Sequence, residues 1–403
     1  MKIKFAKESM LEAVLDINVT AQDTVYAKDM VAFKESLSKG VFTKEFDPNN
    51  LVETLKGIIN KIRFDVRDNF SGVKKKGKIK VGVHDGIMHA DDVLSCALVN
   101  LWVDKMFDEY CDDDEEGFDI MRNYRVKFVR SRISKKLDKC DIVLDVGGSD
   151  FVDPDEGRIQ FDHHQDNLAY PSELVDAEAY PNGVQFAACG KIYDLLFGVN
   201  NSPAFNEYVY QNLLHPIEAQ DNGCKMTMSA RQNLLAFIKE VGNPASVEPE
   251  DMDLVFEQLV FTTMPIVSSV FENAATASEN ETLFTEAVEA NESGDPQILI
   301  LNHSFAWKNL LYKKADKYPQ LNDTLFVVFP HFEGDRWNVQ AVNTSPTGFE
   351  LRKALPEEWR GKNNEDLANA SGIQGAIFCH KNGFIGAWQT KEQAIEAAIS
   401  ALG

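Results

Sequence analysis

The order of predicted strands and helices constrains the fold of this chain most strongly. From Lys78 onward, short apolar strands alternate with helices, which is typical of a mostly parallel sheet covered on both faces. The strands are predicted at residues 79–84, 126–130 and 141–146, and the first helix at residues 91–110. In such folds, functional groups gather where strands end. The residues that follow each strand are therefore the candidates for a functional site.

The 403 residues are enough for two or three domains. We predict an N-terminal extension of unknown role at residues 1–77, a catalytic α/β domain at 78–228, a helical connector at 229–296 and a smaller α/β domain at 297–403. One amphipathic helix that begins near Asp47 is predicted within the extension. Three roles are compatible with this extension: a packing scaffold, a homodimer contact or a site for another partner.

Composition and charge exclude several function classes. The six cysteines form no C-x-x-C pair, which argues against a zinc knuckle and a disulfide framework. Neither a membrane span nor a secretory signal is recognisable, so we predict a cytoplasmic protein that does not contact membranes. The net charge of −22 excludes a non-specific coat on nucleic acid. An acidic pocket that binds divalent cations can nevertheless attract phosphate.

Four short clusters place acidic or imidazole groups at the end of a predicted strand or helix. Histidine is scarce, yet four of the eight histidines lie in two of these clusters. The clusters are residues 84–92, 145–148, 162–164 and 221–223. Imidazole and carboxylate ligands without thiolate suit Mn²⁺, Mg²⁺ or Co²⁺, and two octahedral ions need about six protein groups. The clusters thus predict two divalent cations, although each cluster taken singly could be a loop histidine or a cap.

The order of these clusters resembles a known superfamily. H-x4-H-x-D, D-x-G-G, D-H-H and D-N-G follow one another as in the DHH phosphoesterases, and most closely as in the melanocyte-proliferating-gene family of 3′-to-5′ RNA exonucleases. The resemblance continues through residues 349–361 and 371–386, so it covers both predicted α/β domains. Three positions depart from the pattern. Asp85, Met88 and Asp92 stand where the family has an asparagine, an aromatic residue and a glutamate.

The resemblance implies a ligand set for each of two divalent cations, with Mn²⁺ preferred and Mg²⁺ or Co²⁺ as alternatives. The first ligand set is His84, His89 and Asp145. The second ligand set is Asp91, Asp145, His163 and Asp221. Asp145 would therefore bridge the two ions, which together would activate water for attack on phosphorus.

The resemblance also implies roles for residues that contact the substrate. His164 would contact the scissile phosphate, and Asp162 would orient the histidines by accepting an imidazole N–H. In the C-terminal domain, the implied substrate-binding residues are Arg352, Lys353, Arg360, Gly375 and His380. Any one of the basic side chains could instead be a surface ion-pair partner.

We therefore expect a metal-dependent phosphodiesterase, most closely a 3′-to-5′ exonuclease on single-stranded RNA or short oligonucleotides. Two alternatives stay open. The first is a hydrolase of a small phosphoanhydride or dinucleotide, similar to a pyrophosphatase. The second is a non-catalytic interaction protein with a DHH-type fold. The negative charge weakly favours short substrates, and no motif distinguishes RNA from DNA.

Overall fold

Two units make up the chain, Met1–Ala274 and Ala275–Gly403. The computed structural model describes residues 79–110, 126–148, 151–153, 158–162, 184–198, 201–223, 238, 241 and 247–403. The predicted helix near Asp47 lies outside the described residues, as do His163 and His164.

A five-stranded sheet forms the centre of the first unit. Its strands are β1 (Lys80–Val83), β2 (Lys127–Arg130), β3 (Ile142–Leu144), β4 (Phe151–Asp153) and β5 (Arg158–Phe161). The strand order is β2-β1-β3-β5-β4, and every neighbouring pair is parallel except β4 and β5. Strands β1 and β3 are fully buried along their apolar runs, as expected for central parallel strands. The predicted mostly parallel sheet is confirmed, with an antiparallel edge strand that the sequence pattern did not predict.

Helices cover this sheet. They are α1 (Ala90–Tyr110), α2 (Ser134–Leu137), α3 (Ala188–Leu196), α4 (Pro203–Val209) and α5 (His215–Asp221). The sequence pattern predicts one continuous helix over residues 204–220, but a π-helical turn, Tyr210–Leu214, separates α4 from α5. Pro216 lies in the first turn of α5 and has no N–H to donate, which favours such a break in the α-helical bonding.

A 39-residue helix, α6 (Met252–Ala290), contains the division between the two units. In the first unit its Phe256 ring packs edge-to-face on Phe128, and its Phe271 ring packs on Phe197. Phe284 lies in an apolar core of the second unit. By length and composition alone, α6 would be able to cross a membrane. A third of this apolar stretch, 33%, is buried, and the aromatic contacts above belong to that buried part.

The second unit is built on a mixed sheet. Its strands are β6 (Ile298–Ile300), β7 (Phe326–Pro330), β8 (Trp337–Ala341), β9 (Ala376–Cys379) and β10 (Ile385–Trp388), in the order β6-β7-β8-β10-β9. Only β6 and β7 are parallel among the neighbouring pairs of this sheet. Its helices are α7 (Lys308–Lys313), α8 (Asn364–Ser371) and α9 (Lys391–Leu402). Alternate strand residues enter two separate apolar cores, so both faces of the sheet are covered.

Candidate metal centre

Two histidines and two aspartates converge beyond the carboxyl ends of β1 and β3. His84, His89, Asp92 and Asp145 each place a ligand atom within 4.8 Å of the others. His84 Nε2 lies 2.8 Å from Asp92 Oδ2 and 3.3 Å from Asp145 Oδ2. His84 follows β1 and Asp145 follows the neighbouring parallel strand, so both emerge at one edge of the sheet.

Charge in this cluster is concentrated around the buried ring of His84. Burial alone would lower the pKa of His84, but hydrogen bonds with Asp145 and Asp92 raise it to about 10. The side chains of Asp92 and Asp145 are 2% and 1% exposed. Two buried carboxylates thus stabilise positive charge between them, and a divalent cation satisfies the same requirement.

The donor set fits a divalent cation. Within the described ranges, no donor reaches Asp92 Oδ1, which is a buried oxygen. His84 Nδ1 donates to the carbonyl oxygen of Asp85 at 2.9 Å, which leaves Nε2 as the nitrogen that faces the carboxylates. Such an outer hydrogen bond is how proteins fix the ring orientation of histidines that bind metals. The cluster can therefore hold a metal ion through imidazole nitrogen and carboxylate oxygen.

Asp145 has an unusual backbone conformation. Its φ of 56° lies in the left-handed region, which an aspartate adopts at a small energetic cost. The Asp145 N–H donates to the Phe161 carbonyl at 2.8 Å, and Gly148 N–H donates to Asp162 Oδ2 at 2.5 Å. Asp162 therefore holds the turn that follows Asp145 against the end of β5. The predicted contact between Asp162 and an imidazole N–H involves histidines outside the described residues and stays a prediction.

Asp91 and Asp92 are adjacent in sequence but have different surroundings. The Asp91 carboxylate accepts hydrogen bonds from Ala188 N–H at 3.2 Å and Cys189 N–H at 2.7 Å, in the first turn of α3. Asp92 lies in the cluster instead. Consecutive helical residues point about 100° apart, so one of two adjacent acids could have been expected to face away. The predicted metal-binding role of Asp91 stays a prediction, and Asp92 is a group that sequence reasoning missed.

The end of α5 brings Asp221 to the cluster. Asp221 Oδ1 lies 4.0 Å from His89 Nδ1. Glu218, one turn earlier and fully buried, accepts a hydrogen bond from Ala187 N–H at 3.0 Å. Glu218 and Asp91 therefore bind neighbouring amides at the start of α3, and together they tie α5 and α1 to the same helix. The structure thus assembles these side chains from three separate segments, which are the loop that carries His84 and His89, the turn at Asp145 and the end of α5 at Asp221.

The basic residues predicted to bind substrate make contacts within the second unit. Arg352 Nη1 donates to the carbonyl oxygens of Leu321 and Thr324 at 2.7 and 2.8 Å. Arg352 also lines an open cavity of about 620 Å³, together with Asp295 and Asp323. These two carboxylates make the cavity less favourable for a phosphate.

The other three predicted side chains of this group also have partners in the second unit. Lys353 Nζ donates to the Leu402 carbonyl at 2.5 Å, and Arg360 Nε donates to the Leu355 carbonyl at 2.9 Å. His380 Nδ1 accepts a hydrogen bond from Asn382 N–H at 3.2 Å. In each of these three contacts, the basic residue uses one side-chain nitrogen. The predicted roles of these residues in substrate binding stay predictions.

Gly375 has a structural reason to be glycine. Its φ is 71°, and a Cβ atom there would overlap the Gln393 side chain, which completes the capping box of α9. We expect Gly375→Ala to destabilise the protein by about 2 to 3 kcal/mol, because the strain of the positive φ adds to the loss of the hydrogen bond from Thr390 N–H when the Gln393 side chain has to move. Gly372→Ala is the matched control, since Gly372 has a similar φ of 73° with open space around it. Thermal unfolding should show a larger decrease for Gly375→Ala, and equal decreases would contradict this explanation.

Comparisons with known proteins agree on one family. A family model described as "Uncharacterised protein family (UPF0160)", with the short name MYG1 exonuclease, matches residues 80–402. The MYG1 protein of Schizosaccharomyces pombe is 28% identical over 348 residues, covering 80% of this chain and 97% of the relative. The MYG1 exonuclease of Homo sapiens is 28% identical over 352 residues, covering 80% and 85%.

A search of solved structures gives a weaker likeness. The pGpG-specific phosphodiesterase PggH from Vibrio cholerae is 13% identical, with coverage of 81% of this chain and 99% of that chain. Its TM-score is 0.22. The sequence matches are thus the informative ones, and the match to the family model begins at the first residue of β1.

Proposed function

This chain belongs to the MYG1 exonuclease family, whose model matches residues 80–402, and we propose that it is a divalent-metal-dependent 3′-to-5′ exonuclease on single-stranded RNA or short oligonucleotides. Relatives from human and rat carry the name exonuclease. The observation that supports the proposal is the buried cluster of His84, Asp92 and Asp145 with His89 at its edge. Membership of this family identifies the chain as a phosphoesterase. The class of substrate is our proposal.

We propose that the site holds two divalent cations, Mn²⁺ by preference. His84, His89 and Asp145 would hold one ion. Asp91, Asp145, His163 and Asp221 would hold the other, as the family resemblance implies. Bound cations would supply Lewis acidity, which acidifies a coordinated water and offsets charge on a phosphate. The protein's part is to fix the ligands. The bond from His84 Nδ1 to the Asp85 carbonyl directs Nε2 at the site, and Asp162 holds the turn after Asp145. The proposed role of His164 as a phosphate contact follows from the family resemblance.

Hydrolysis of labelled oligonucleotides tests this proposal. The wild-type protein with Mn²⁺ should release mononucleotides one at a time from the 3′ end of a 5′-labelled single-stranded RNA, which appears as a ladder on a gel. A matched DNA of the same sequence and inorganic pyrophosphate are tested in parallel. Cleavage of pyrophosphate without cleavage of either oligonucleotide would replace this proposal with the small-substrate alternative. Absence of both Mn²⁺ binding and turnover would favour the non-catalytic alternative.

Location and assembly are separate expectations. The proposed cytoplasmic location and the proposed homodimer stay predictions, and a homodimer contact is one of the three roles compatible with residues 1–77. The proposed substrate is short because a strongly acidic chain gains little from long-range attraction to a polyanion. Divalent cations in the cluster would reverse the sign of the charge locally.

A further inference from the structure

Arg132 is an exposed cation at the same edge of the sheet as the candidate metal-binding cluster of His84, His89, Asp92 and Asp145. Strand β2 is parallel to β1, and Arg130 pairs in register with Val83, the residue before His84. Ser131 N–H continues this ladder by donating to the Val83 carbonyl at 2.8 Å. Arg132 therefore leaves β2 where His84 and Asp85 leave β1. This edge is where ligands bind in sheets of this type.

The backbone around Arg132 is held in place. Arg130, whose side chain is 4% exposed, donates to the Gly86 carbonyl at 2.7 Å and lies over the Phe256 ring. Ile133 N–H donates to Ser131 Oγ at 3.2 Å. The loop of residues 84–89 and the end of β2 are thus fixed to each other. Because the backbone on both sides is anchored, only the Arg132 side chain has to be ordered when it contacts a ligand.

In contrast to its anchored backbone, the Arg132 side chain is 62% exposed. Its Nε lies 3.4 Å from Asp85 Oδ1, on a side chain that is 54% exposed. An exposed pair of this kind contributes little to stability, typically less than about 1 kcal/mol. The contribution of this ion pair to folding stability therefore does not explain why an arginine lies at position 132. A guanidinium beside a centre that binds divalent cations is suited to a phosphate, which it can contact through two N–H groups.

We propose that Arg132 binds a phosphate of the substrate and that Asp85 competes with this phosphate for the guanidinium. The proposal rests on the proposed function, since it names a contact for the same phosphodiester substrate. When substrate enters, the Arg132 side chain exchanges the Asp85 carboxylate for a phosphate oxygen, and no covalent bond changes. Asp85 would then weaken substrate binding, because its charge is available to the guanidinium only in the free enzyme.

A double-mutant cycle tests both parts of the proposal. Arg132→Ala should raise KM for the oligonucleotide by about 10-fold, as expected for one lost charge-assisted contact, with a change in kcat of less than about 3-fold. Asp85→Asn should lower KM by about 3-fold, and the same change should have no effect when Arg132 is already alanine. Log KM should also depend less steeply on log salt in Arg132→Ala, by about one phosphate contact.

Lys135→Ala is the matched control, since Lys135 is an exposed cation on α2, three residues from Arg132. It should leave KM and the salt dependence unchanged. The Mn²⁺ affinity of Arg132→Ala, measured by calorimetry, should equal that of the wild type because Arg132 offers no metal ligand. An unchanged KM in Arg132→Ala would overturn the proposal, and an equal effect of Asp85→Asn in both backgrounds would overturn the competition.

Failure of the proposed function would give a different result. If the wild type cleaves only pyrophosphate, the same cycle is run on KM for pyrophosphate, and an unchanged KM in Arg132→Ala still overturns the phosphate contact. If the wild type turns over no substrate, fluorescence anisotropy measures binding of a labelled oligonucleotide with Mn²⁺. Equal affinity of the wild type and Arg132→Ala would then overturn the contact, and about 10-fold weaker binding by the variant would support it.

Discussion

Asp145→Asn is expected to lower phosphodiesterase activity by about 1,000-fold or more, because it removes the charge on which the proposed metal centre depends. Asparagine is close in size to aspartate and tolerates a positive φ, so the backbone at 56° should be retained. The substitution therefore separates chemistry from folding. Titration calorimetry with Mn²⁺ should show that binding to the cluster is lost or strongly weakened, while circular dichroism stays that of the wild type.

Asp138→Asn is the matched control for this experiment. Asp138 lies just after α2 and forms an ion pair with Arg158 at 3.3 Å, outside the cluster. Its replacement removes one negative charge from the same unit and should leave Mn²⁺ affinity and activity at the wild-type level. If Asp145→Asn retained more than about a tenth of the wild-type activity, a loss of less than about 1.4 kcal/mol, the proposed central role of Asp145 would be wrong.

Asp194→Asn should change the pH dependence of stability. Burial raises the pKa of Asp194 to about 7, although the hydrogen bond from the Tyr210 hydroxyl opposes this shift. The folded protein therefore binds a proton at Asp194 more tightly than the unfolded chain. Stability is lost as pH rises between the unfolded and folded pKa values, by about 3 kcal/mol from pH 5 to pH 8. An asparagine does not ionise, so the variant should lack this loss.

Urea unfolding of both proteins at pH 5 and pH 8 measures this effect. The free energy of unfolding of the variant, relative to the wild type, should increase by about 3 kcal/mol between the two pH values. Glu207→Gln, on the partly exposed face of α4, should give a curve parallel to that of the wild type. A constant difference between Asp194→Asn and the wild type at both pH values would show that Asp194 is ionised throughout.

The sequence pattern predicted the elements whose residues are buried on both sides. Strands β1 and β3 read as continuous apolar runs because their residues are buried on both faces of the sheet. The residues that end these runs, His84 and Asp145, are those that the fold brings together. Parallel strands align their carboxyl ends, so this proximity follows from strand order alone.

Other features depend on contacts between distant segments, which periodicity does not report. The choice of Asp92 over Asp91 as the acid within the cluster depends on α3, about a hundred residues later, whose first amides contact Asp91. The antiparallel pairing of β8 with β7 and β10 depends on how the three strands are arranged in the sheet. The residue pattern within any one of these strands does not determine it. Arg132 belongs to none of the sequence motifs described above. Its proposed role in substrate binding comes from its position beside Asp85 in the structure.

The contacts at the start of α3 have a consequence for the thermodynamics of ion binding. Asp91 ties α1 to this helix and Glu218 ties α5 to it, while α1 and α5 carry Asp92 and Asp221. The loss of conformational entropy that places both carboxylates near His89 therefore occurs when the chain folds. An arriving cation has little further ordering to impose on the helices that carry these two carboxylates. Its affinity is then set mainly by the exchange of hydration for protein oxygen and nitrogen.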